Sequence, residues 1–331
     1  MSSFKALRVY EADKGVDPRV ESMAVDALSE GAVLIRSAWS GINFKDAMAV
    51  TGKGRIVRKF PLNAGIDVSG TVETSEDPRF RPGDPVVVTG CGLGENHDGG
   101  FAEMVRVPGD WVVPLQDPLD LRTAMAVGTA GFTAAMALVR METNGQQPEH
   151  GPILINGATG GVGSYAIRLF SRAGYSVTAL TGKPDAADYL KSLGADEVLD
   201  SNTLEFGTRP MEKGLWGGAV DSLGDESLAW LTRTVKPWGN IAAVGLAQGI
   251  ALNTTVMPFI IRGVSLLGID SVLCHRDIRL ATWKRLAELL QPGDVDAIVT
   301  REVSLDGVVE AAEALMERRQ QGRTLVKLAQ A

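Results

Sequence analysis

The spacing of apolar residues changes character near residue 150. Before about residue 125 they fall in short β-branched runs, "GAVLIRSAWSG", "VSGTVETS" and "DPVVVTG", bounded by Gly, Pro and Asp. Such runs predict strands separated by turns. The N-terminal "MSSFKALRVYEADKG" alternates like a strand and lacks the apolar core of a signal peptide. From Ile153 onward, strand-like runs alternate with helix-like ones. "PILING", "YSVTAL", "ADEVLD", "GAVDSLG" and "NIAAVGL" read as strands. "GGVGSYAIRLFSRAG", "DAADYLKSLG" and "ESLAWLTRTV" read as the helices between them. This alternation predicts a parallel, doubly wound sheet. After "GVSLLGID" the pattern predicts two helices, near 277–291 and 306–321, and a last strand, "RTLVKLA". That final part is expected to rejoin the first domain, which would make the first domain discontinuous. The outer strand "SLLGID" is expected to be an exposed sheet edge.

The uncharged run from Thr123 to Val139 is short for a membrane span, which needs roughly 20 apolar residues. Its Gly, Ala and Thr content predicts a buried, tightly packed segment that turns at Gly128 and Gly131. A length of 331 residues allows two domains with separate cores. Hydrophobic residues at 45% and charged residues at 22% are ordinary for a soluble enzyme. The net charge of -7, without a basic tail, argues against nucleic acid as the partner. Cys91 and Cys274 lie far apart and suggest neither a disulfide framework nor a metal cluster. They fit a reducing, cytoplasmic setting.

The candidate chemistry begins at "NGATGGVGSYA". Gly157, Gly160 and Gly163 follow a predicted strand and open a predicted helix. In a dinucleotide fingerprint the register is Ala158, Gly160, Gly163. The second glycine lets the backbone approach a pyrophosphate, and the third lets the helix pack closely on the strand. Thr159, Gly161 and Val162 complete the turn, whose helix N-terminus offers N–H groups and a positive dipole end. An NAD site carries an acid at the end of the second strand, for the ribose 2′-hydroxyl. Here that position reads Thr181-Gly182-Lys183. A hydroxyl, an open backbone and a cation suit a 2′-phosphate, so NADPH is the expected cofactor.

Five strings, "NGATGGVGSYA", "VGTAGFTAAMAL", "GKPDAADYLKSLGADEV", "TTVMPFIIRGVSLLGIDSV" and "QGRTLVKL", carry a family resemblance over essentially the whole chain. The chain resembles the zinc-independent quinone oxidoreductase and acryloyl-CoA reductase branch of the medium-chain dehydrogenase/reductase superfamily. The resemblance implies an α/β fold: a GroES-like, β-rich catalytic domain in two pieces, 1–126 and 263–331, around a Rossmann domain at 127–262. It also implies a homodimer. Zinc-dependent members carry G-H-E-x-x-G and G-x-C-x-x-D strings. Here these read "GIDVSG" and "GINFKD", so Ile66, Asp67 and Asn43 stand where histidine, glutamate and cysteine would be. Zinc takes about four N, S or O ligands, and this set does not supply them. His97, His150 and His275 are scattered, and no metal is expected.

Without a Lewis acid, reduction of an activated alkene is the expected reaction, because a carbonyl can take up the developing charge. The segment "SGINFKDAMAVTGKGRIVRKFP" is the expected floor of the site. Asn43, Lys45 and Asp46 are the candidate catalytic residues, although Lys45 and Asp46 would also fit a structural ion pair. Phe44 stands where many relatives have tyrosine and can pack on the nicotinamide without donating a proton. Lys53, Arg55, Arg58 and Lys59 form a basic cluster suited to coenzyme A phosphates or to plain solvation. On the family pattern, Thr129, Leu246, Ile260 and Ser271 line the cofactor groove. The expected substrate is a small enoyl thioester, acryloyl-CoA above others. A quinone is the alternative, and a non-catalytic NADPH-binding protein is the alternative of another class.

Overall fold

The computed structural model describes residues Ser3–Leu328, with every side chain but that of residue 292. In chain order the first elements are β1 (Ser3–Glu11), β2 (Val16–Ala24), β3 (Val33–Ile42), α1 (Phe44–Thr51) and β4 (Leu62–Asn63). They are followed by β5 (Asp67–Ser75), β6 (Pro85–Thr89), β7 (Met104–Val107), β8 (Val113–Pro114) and α2 (Leu121–Thr143). Next come β9 (Ile153–Ile155), α3 (Gly161–Arg172), β10 (Val177–Thr181), α4 (Ala187–Leu193) and β11 (Glu197–Asp200). These lead to β12 (Trp216–Asp221), α5 (Asp225–Thr234), β13 (Val235–Ala243), α6 (Met257–Arg262) and β14 (Ser265–Gly268). The chain ends with α7 (Arg276–Leu289), α8 (Pro292–Asp296), β15 (Val299–Val303), α9 (Val308–Met316) and β16 (Arg323–Lys327). The chain divides into two compact units. The first holds the residues up to Thr129, Val272–Ala287 and Gln291 onward; the second holds Ala130–Ser271 and Glu288–Leu290.

The first unit is β-rich. A three-stranded sheet runs β2-β1-β4, and a seven-stranded one runs β15-β16-β3-β5-β6-β8 with β7 also on β3. Alternate positions of these strands, among them Val33, Ile35, Val68, Val86, Val88 and Val105, interdigitate as its core. The C-terminal strand β16 lies antiparallel on β3, with Thr324 opposite Ile42 and Leu325 opposite Gly41. That pairing carries Arg323 to the end of β3, where α1 begins. Helix α1 starts there because Asn43 and Asp46 form a capping box. Its buried Ala47, Ala49 and Val50 join Val308, Ala311 and Ala312 of α9 in a second cluster.

The second unit is a six-stranded sheet in the order β11-β10-β9-β12-β13-β14, with every pairing parallel. The order reverses between β9 and β12, which is where doubly wound folds open a ligand crevice. Strand β9 is wholly buried, and α3 buries Tyr165, Ile167, Leu169 and Phe170.

Two boundaries differ from the sequence reading. The return to the first unit falls at Val272 rather than 263, because β14 extends the parallel sheet, with Leu266 opposite Ile241. The first crossing falls after Thr129 rather than after 126. The run 123–139 lies inside α2, which breaks at Gly128 (φ 48°, ψ -158°) and not at Gly131. With 23 residues α2 is long and apolar enough to cross a membrane, but 83% of its most apolar window is buried within the fold.

Candidate active site

In the first unit, the end of β3 with the start of α1, the start of β5 and the start of β16 bring the buried side chains of Asn43, Asp46, Asp67 and Arg323 together. Arg323 Nη1 donates to Asn43 Oδ1 at 2.6 Å and to the Ile42 carbonyl at 3.2 Å. Asn43 Nδ2 donates to Asp67 Oδ2 at 2.8 Å and to Asp46 Oδ2 at 3.0 Å. Asp67 also accepts from the Thr129 backbone N–H at 2.8 Å and from Thr129 Oγ1 at 2.5 Å. Arg323 Nη2 lies 3.7 Å from Asp67 Oδ2. Glycines make the room: a Cβ on Gly41 or Gly128 would come within 2.6 or 2.5 Å of Nη2.

Asp46 accepts from the Asn43 and Ile66 backbone N–H groups, each at 2.8 Å. Burial, and then the neighbouring Asp67 charge, push its carboxyl up to about 7, against those hydrogen bonds. Both of its oxygens are used and it is 1% exposed, so it fixes Asn43 and α1 rather than facing a ligand. The Asn43 amide is likewise committed on both sides. Lys45 does not pair with Asp46. Its Nζ donates to Glu95 Oε1 at 2.8 Å, and the Arg58 backbone N–H donates to the Glu95 carbonyl at 2.7 Å. Phe44, beside it, is 43% exposed. Lys53, Arg55 and Arg58 line one cavity of about 1110 Å³. Lys59 does not line it.

This donor set does not suit zinc. The Ile66 side chain has no donor atom, the Asn43 amide N–H groups point at two carboxylates, and a guanidinium stands beside Asp67. Among the described residues no group of three or more His, Cys, Asp or Glu is placed to hold a metal ion.

In the second unit, the predicted turn joins β9 to α3. A Cβ on Gly163 would lie 2.5 Å from the Gly157 carbonyl oxygen, so only glycine permits this close packing. No side chain caps α3 at Gly160, which leaves the helix N-terminus to a ligand. The turn therefore fits a pyrophosphate. Ala158 and Thr159 are buried, Gly160 is exposed, and Gly161 and Val162 are half-buried. Thr181 ends β10 and its Oγ1 accepts the Lys183 backbone N–H at 3.1 Å. Gly182 is exposed and Lys183 half-buried, with no carboxylate in the Thr181-Gly182-Lys183 turn. Leu246 and Ile260 are exposed apolar side chains at 60% and 74%, and Ser271 is half-buried. Thr129 falls in the first unit, where its hydroxyl serves Asp67.

Four residues that the sequence reading did not nominate belong to these constellations. Asp67 and Arg323 complete the first. In the second, buried Asp221 accepts from Asn156 Nδ2 and from the Gly224 N–H, while Asn156 Oδ1 accepts the Ser222 N–H at 2.7 Å. Burial raises the Asp221 carboxyl pKa. The pair ties the C-terminal ends of β9 and β12 at the point where the strand order reverses. A polar residue ending an apolar strand, as in "ILIN" and "GAVD", was the available signal.

Comparisons with known proteins agree with this architecture. The family described as "Alcohol dehydrogenase GroES-like domain" matches residues 29–117, and "Zinc-binding dehydrogenase" matches residues 161–291. The chain is 47% identical over 326 residues to "Putative quinone oxidoreductase YhfP" of Bacillus subtilis (strain 168), covering 98% of this chain and 99% of that one. The YhfP structure, with NAD bound, superposes with a TM-score of 0.95 at 46% identity, covering 99% of this chain and 100% of that one. "Probable acrylyl-CoA reductase AcuI" of Escherichia coli (strain K12) is 46% identical over 325 residues, again 98% of this chain and 99% of that one. The yhdH oxidoreductase from Salmonella enterica, solved in complex with NADP, has a TM-score of 0.95 at 45% identity, covering 98% and 100% of the two chains. With a GroES-like unit, a Rossmann unit and full-length relatives of this similarity, the chain belongs to the zinc-independent quinone oxidoreductase and acryloyl-CoA reductase family of the medium-chain dehydrogenase/reductase superfamily.

Proposed function

We propose that the protein is an NADPH-dependent oxidoreductase that reduces the activated C=C bond of a small enoyl thioester, acryloyl-CoA to propanoyl-CoA. The observation that carries this reading is the full-length similarity to a relative named acrylyl-CoA reductase, joined to a cofactor turn with a cation in place of an acid. The NADP bound to the Salmonella enterica relative supports the choice of cofactor. The glycine turn holds the pyrophosphate, and Thr181, Gly182 and Lys183 hold the 2′-phosphate. When bound, NADPH supplies the hydride that adds to the β-carbon of the alkene. Lys45 Nζ has three N–H groups, and Glu95 takes one. The other two donate to the thioester carbonyl oxygen as it gathers charge, and solvent protonates the α-carbon. Phe44 packs on the flat reacting groups. Asn43, Asp46, Asp67 and Arg323 act as positioning residues that fix the start of α1, and so the place of Lys45.

Quinone reduction is the second reading, favoured by the similarity to YhfP. NAD in the YhfP structure makes NADH the competing cofactor. One assay separates the readings: oxidation of NADPH with acryloyl-CoA, with a simple quinone, or with neither. A kcat/KM for quinones well above that for acryloyl-CoA would overturn the thioester reading. No turnover with either would leave a non-catalytic NADPH-binding protein.

The same reading extends to assembly and location. A homodimer is favoured by the outer strand β14 and by the exposed apolar Trp238, Ile260 and Ile261 near it in the same unit. Light scattering at the monomer mass would refute it. A cytoplasmic location, with neither membrane nor nucleic acid as partner, is favoured by two cysteines that form no disulfide and by the net charge of -7. Cell fractionation tests it.

A further inference from the structure

The basic cluster of residues 53–58 and the cavity it lines are not used by the reduction itself. The cavity of about 1110 Å³ lies within the first unit, at the C-terminal end of α1. It is larger than most small-molecule pockets, which run to roughly 1,000 Å³. Lys53, Arg55 and Arg58 are exposed on its wall, and no hydrogen bond or ion pair engages their side chains among the described residues. Glu11 is the one carboxylate on the wall, so the lining is net cationic in a chain of net charge -7. Its floor is apolar, from Val16, Ala49, Val57 and Phe60. Unpaired cations over an apolar floor suit a ligand with several phosphates and a flat ring.

The cavity is also coupled to the other end of α1. Glu95 holds Lys45 through its side chain and the Arg58 backbone through its carbonyl. Helix α1 has eight residues, which at about 1.5 Å each separates its two ends by about 12 Å. A ligand that touches both Lys45 and the cavity must be elongated. We propose that this cavity seats the 3′-phosphoadenosine diphosphate end of a coenzyme A thioester, with the pantetheine arm lying along α1. The proposal rests on the thioester reading of the function. The phosphates meet Lys53, Arg55 and Arg58, the adenine lies on the apolar floor, and the acyl group reaches Lys45. A simple quinone is too short to use the cavity.

The test is calorimetric titration of free coenzyme A into the full chain saturated with NADP, for the wild type and for Arg55→Gln/Arg58→Gln. The double variant is expected to weaken coenzyme A by about tenfold or more while leaving NADPH affinity unchanged. Glu11→Gln is expected to tighten it. Kinetics supply the second readout. The double variant should lower kcat/KM for acryloyl-CoA by about tenfold, and leave it unchanged for the acryloyl thioester of N-acetylcysteamine, which lacks the nucleotide. Unchanged coenzyme A affinity in the double variant, or equal losses on the two thioesters, would overturn the subsite and leave the thioester reading standing. Failure to reduce either thioester would remove that reading, and the titration still decides whether the cavity binds the nucleotide.

Discussion

Arg323 and Asp67 face each other at 3.7 Å with side chains only 2% and 0% exposed, a charge pair enclosed by the first unit. Neither is left to the other alone. Asp67 takes the Asn43 amide and the Thr129 N–H and hydroxyl, and Arg323 takes three carbonyl-type oxygens, of Ala126, Ile42 and Asn43. Removing one member of a buried pair strands the other charge, at a cost of about 3–5 kcal/mol. Arg323→Met is therefore expected to lower the urea midpoint by that equivalent. Arg323→Met combined with Asp67→Asn should recover a large part of the loss. A double variant no more stable than the single one would show that the charge pairing is not what holds this end of β3.

Gly128 is where α2 breaks, and its conformation is tied to the same pair. At φ 48° an L side chain is strained, and its Cβ would lie 2.5 Å from Arg323 Nη2 and 2.7 Å from Asp67 Oδ2. Gly128→Ala should destabilise by roughly 1–3 kcal/mol and lower kcat more than it raises KM for NADPH. Gly131, in the same helix with helical backbone, should accept alanine with little effect on the backbone. Equal Tm losses at the two positions would refute the distinction.

In the proposed reading the cofactor choice falls to Lys183. Its backbone is fixed through Thr181 Oγ1, and it follows the exposed Gly182 at the end of β10. A charge-assisted contact is worth about 1.5–3 kcal/mol, so Lys183→Ala should weaken NADPH by about ten- to a hundredfold and leave NADH nearly unchanged. Equal losses in fluorescence titrations of the two cofactors would remove Lys183 from the 2′-phosphate site.

Much of the second unit was legible because its signals are local. Strand-to-helix alternation, the glycine turn and the missing acid after β10 each lie within a few residues of one another. The first unit was less legible. Strand β2, "VDPRVESMA", carries a proline and a run of half-exposed polar residues on a sheet edge, so its period is obscured. Strand β15, "VTREV", is disguised in the same way. The partners of the candidate catalytic residues were out of reach for a different reason. Arg323 meets Asn43 across 280 positions through the β16–β3 pairing, and Glu95 meets Lys45 across 50 from a turn between β6 and β7, and no local pattern encodes either contact. Local reading offered Asp46, the next residue, as the partner of Lys45, whereas α1 uses Asp46 for its own cap.

The same geometry predicts metal independence. Asn43, Ile66 and Asp67 occupy the positions where zinc-dependent relatives keep their ligands, and a guanidinium already neutralises Asp67. Activity should survive exhaustive chelation, and elemental analysis of the purified protein should find far less than one zinc per chain. Stoichiometric zinc lost together with activity would contradict the assignment.

Asp46 should leave a mark on the pH dependence of stability. Its carboxyl is raised from 3.8 to about 7 in the folded state, chiefly by burial. Between these values the folded protein binds more protons at this site than the unfolded chain does. Stability then falls as pH rises through that window, since the slope follows the protons bound by the unfolded state minus those bound by the folded one. Above the window the cost of the buried charge is fully present, and below it is absent. Urea unfolding of the wild type from pH 4 to pH 8 should therefore include a component that weakens with rising pH. Asp46→Asn cannot ionise and should lose that component. It also turns an amide N–H toward the Asn43 or Ile66 N–H that the carboxylate accepts, so it should be the less stable protein at low pH. The difference between the two proteins should shrink as pH rises from 4 to 7. A difference that stays constant or grows across that range would mean that Asp46 is ionised throughout and that its hydrogen bonds outweigh its burial.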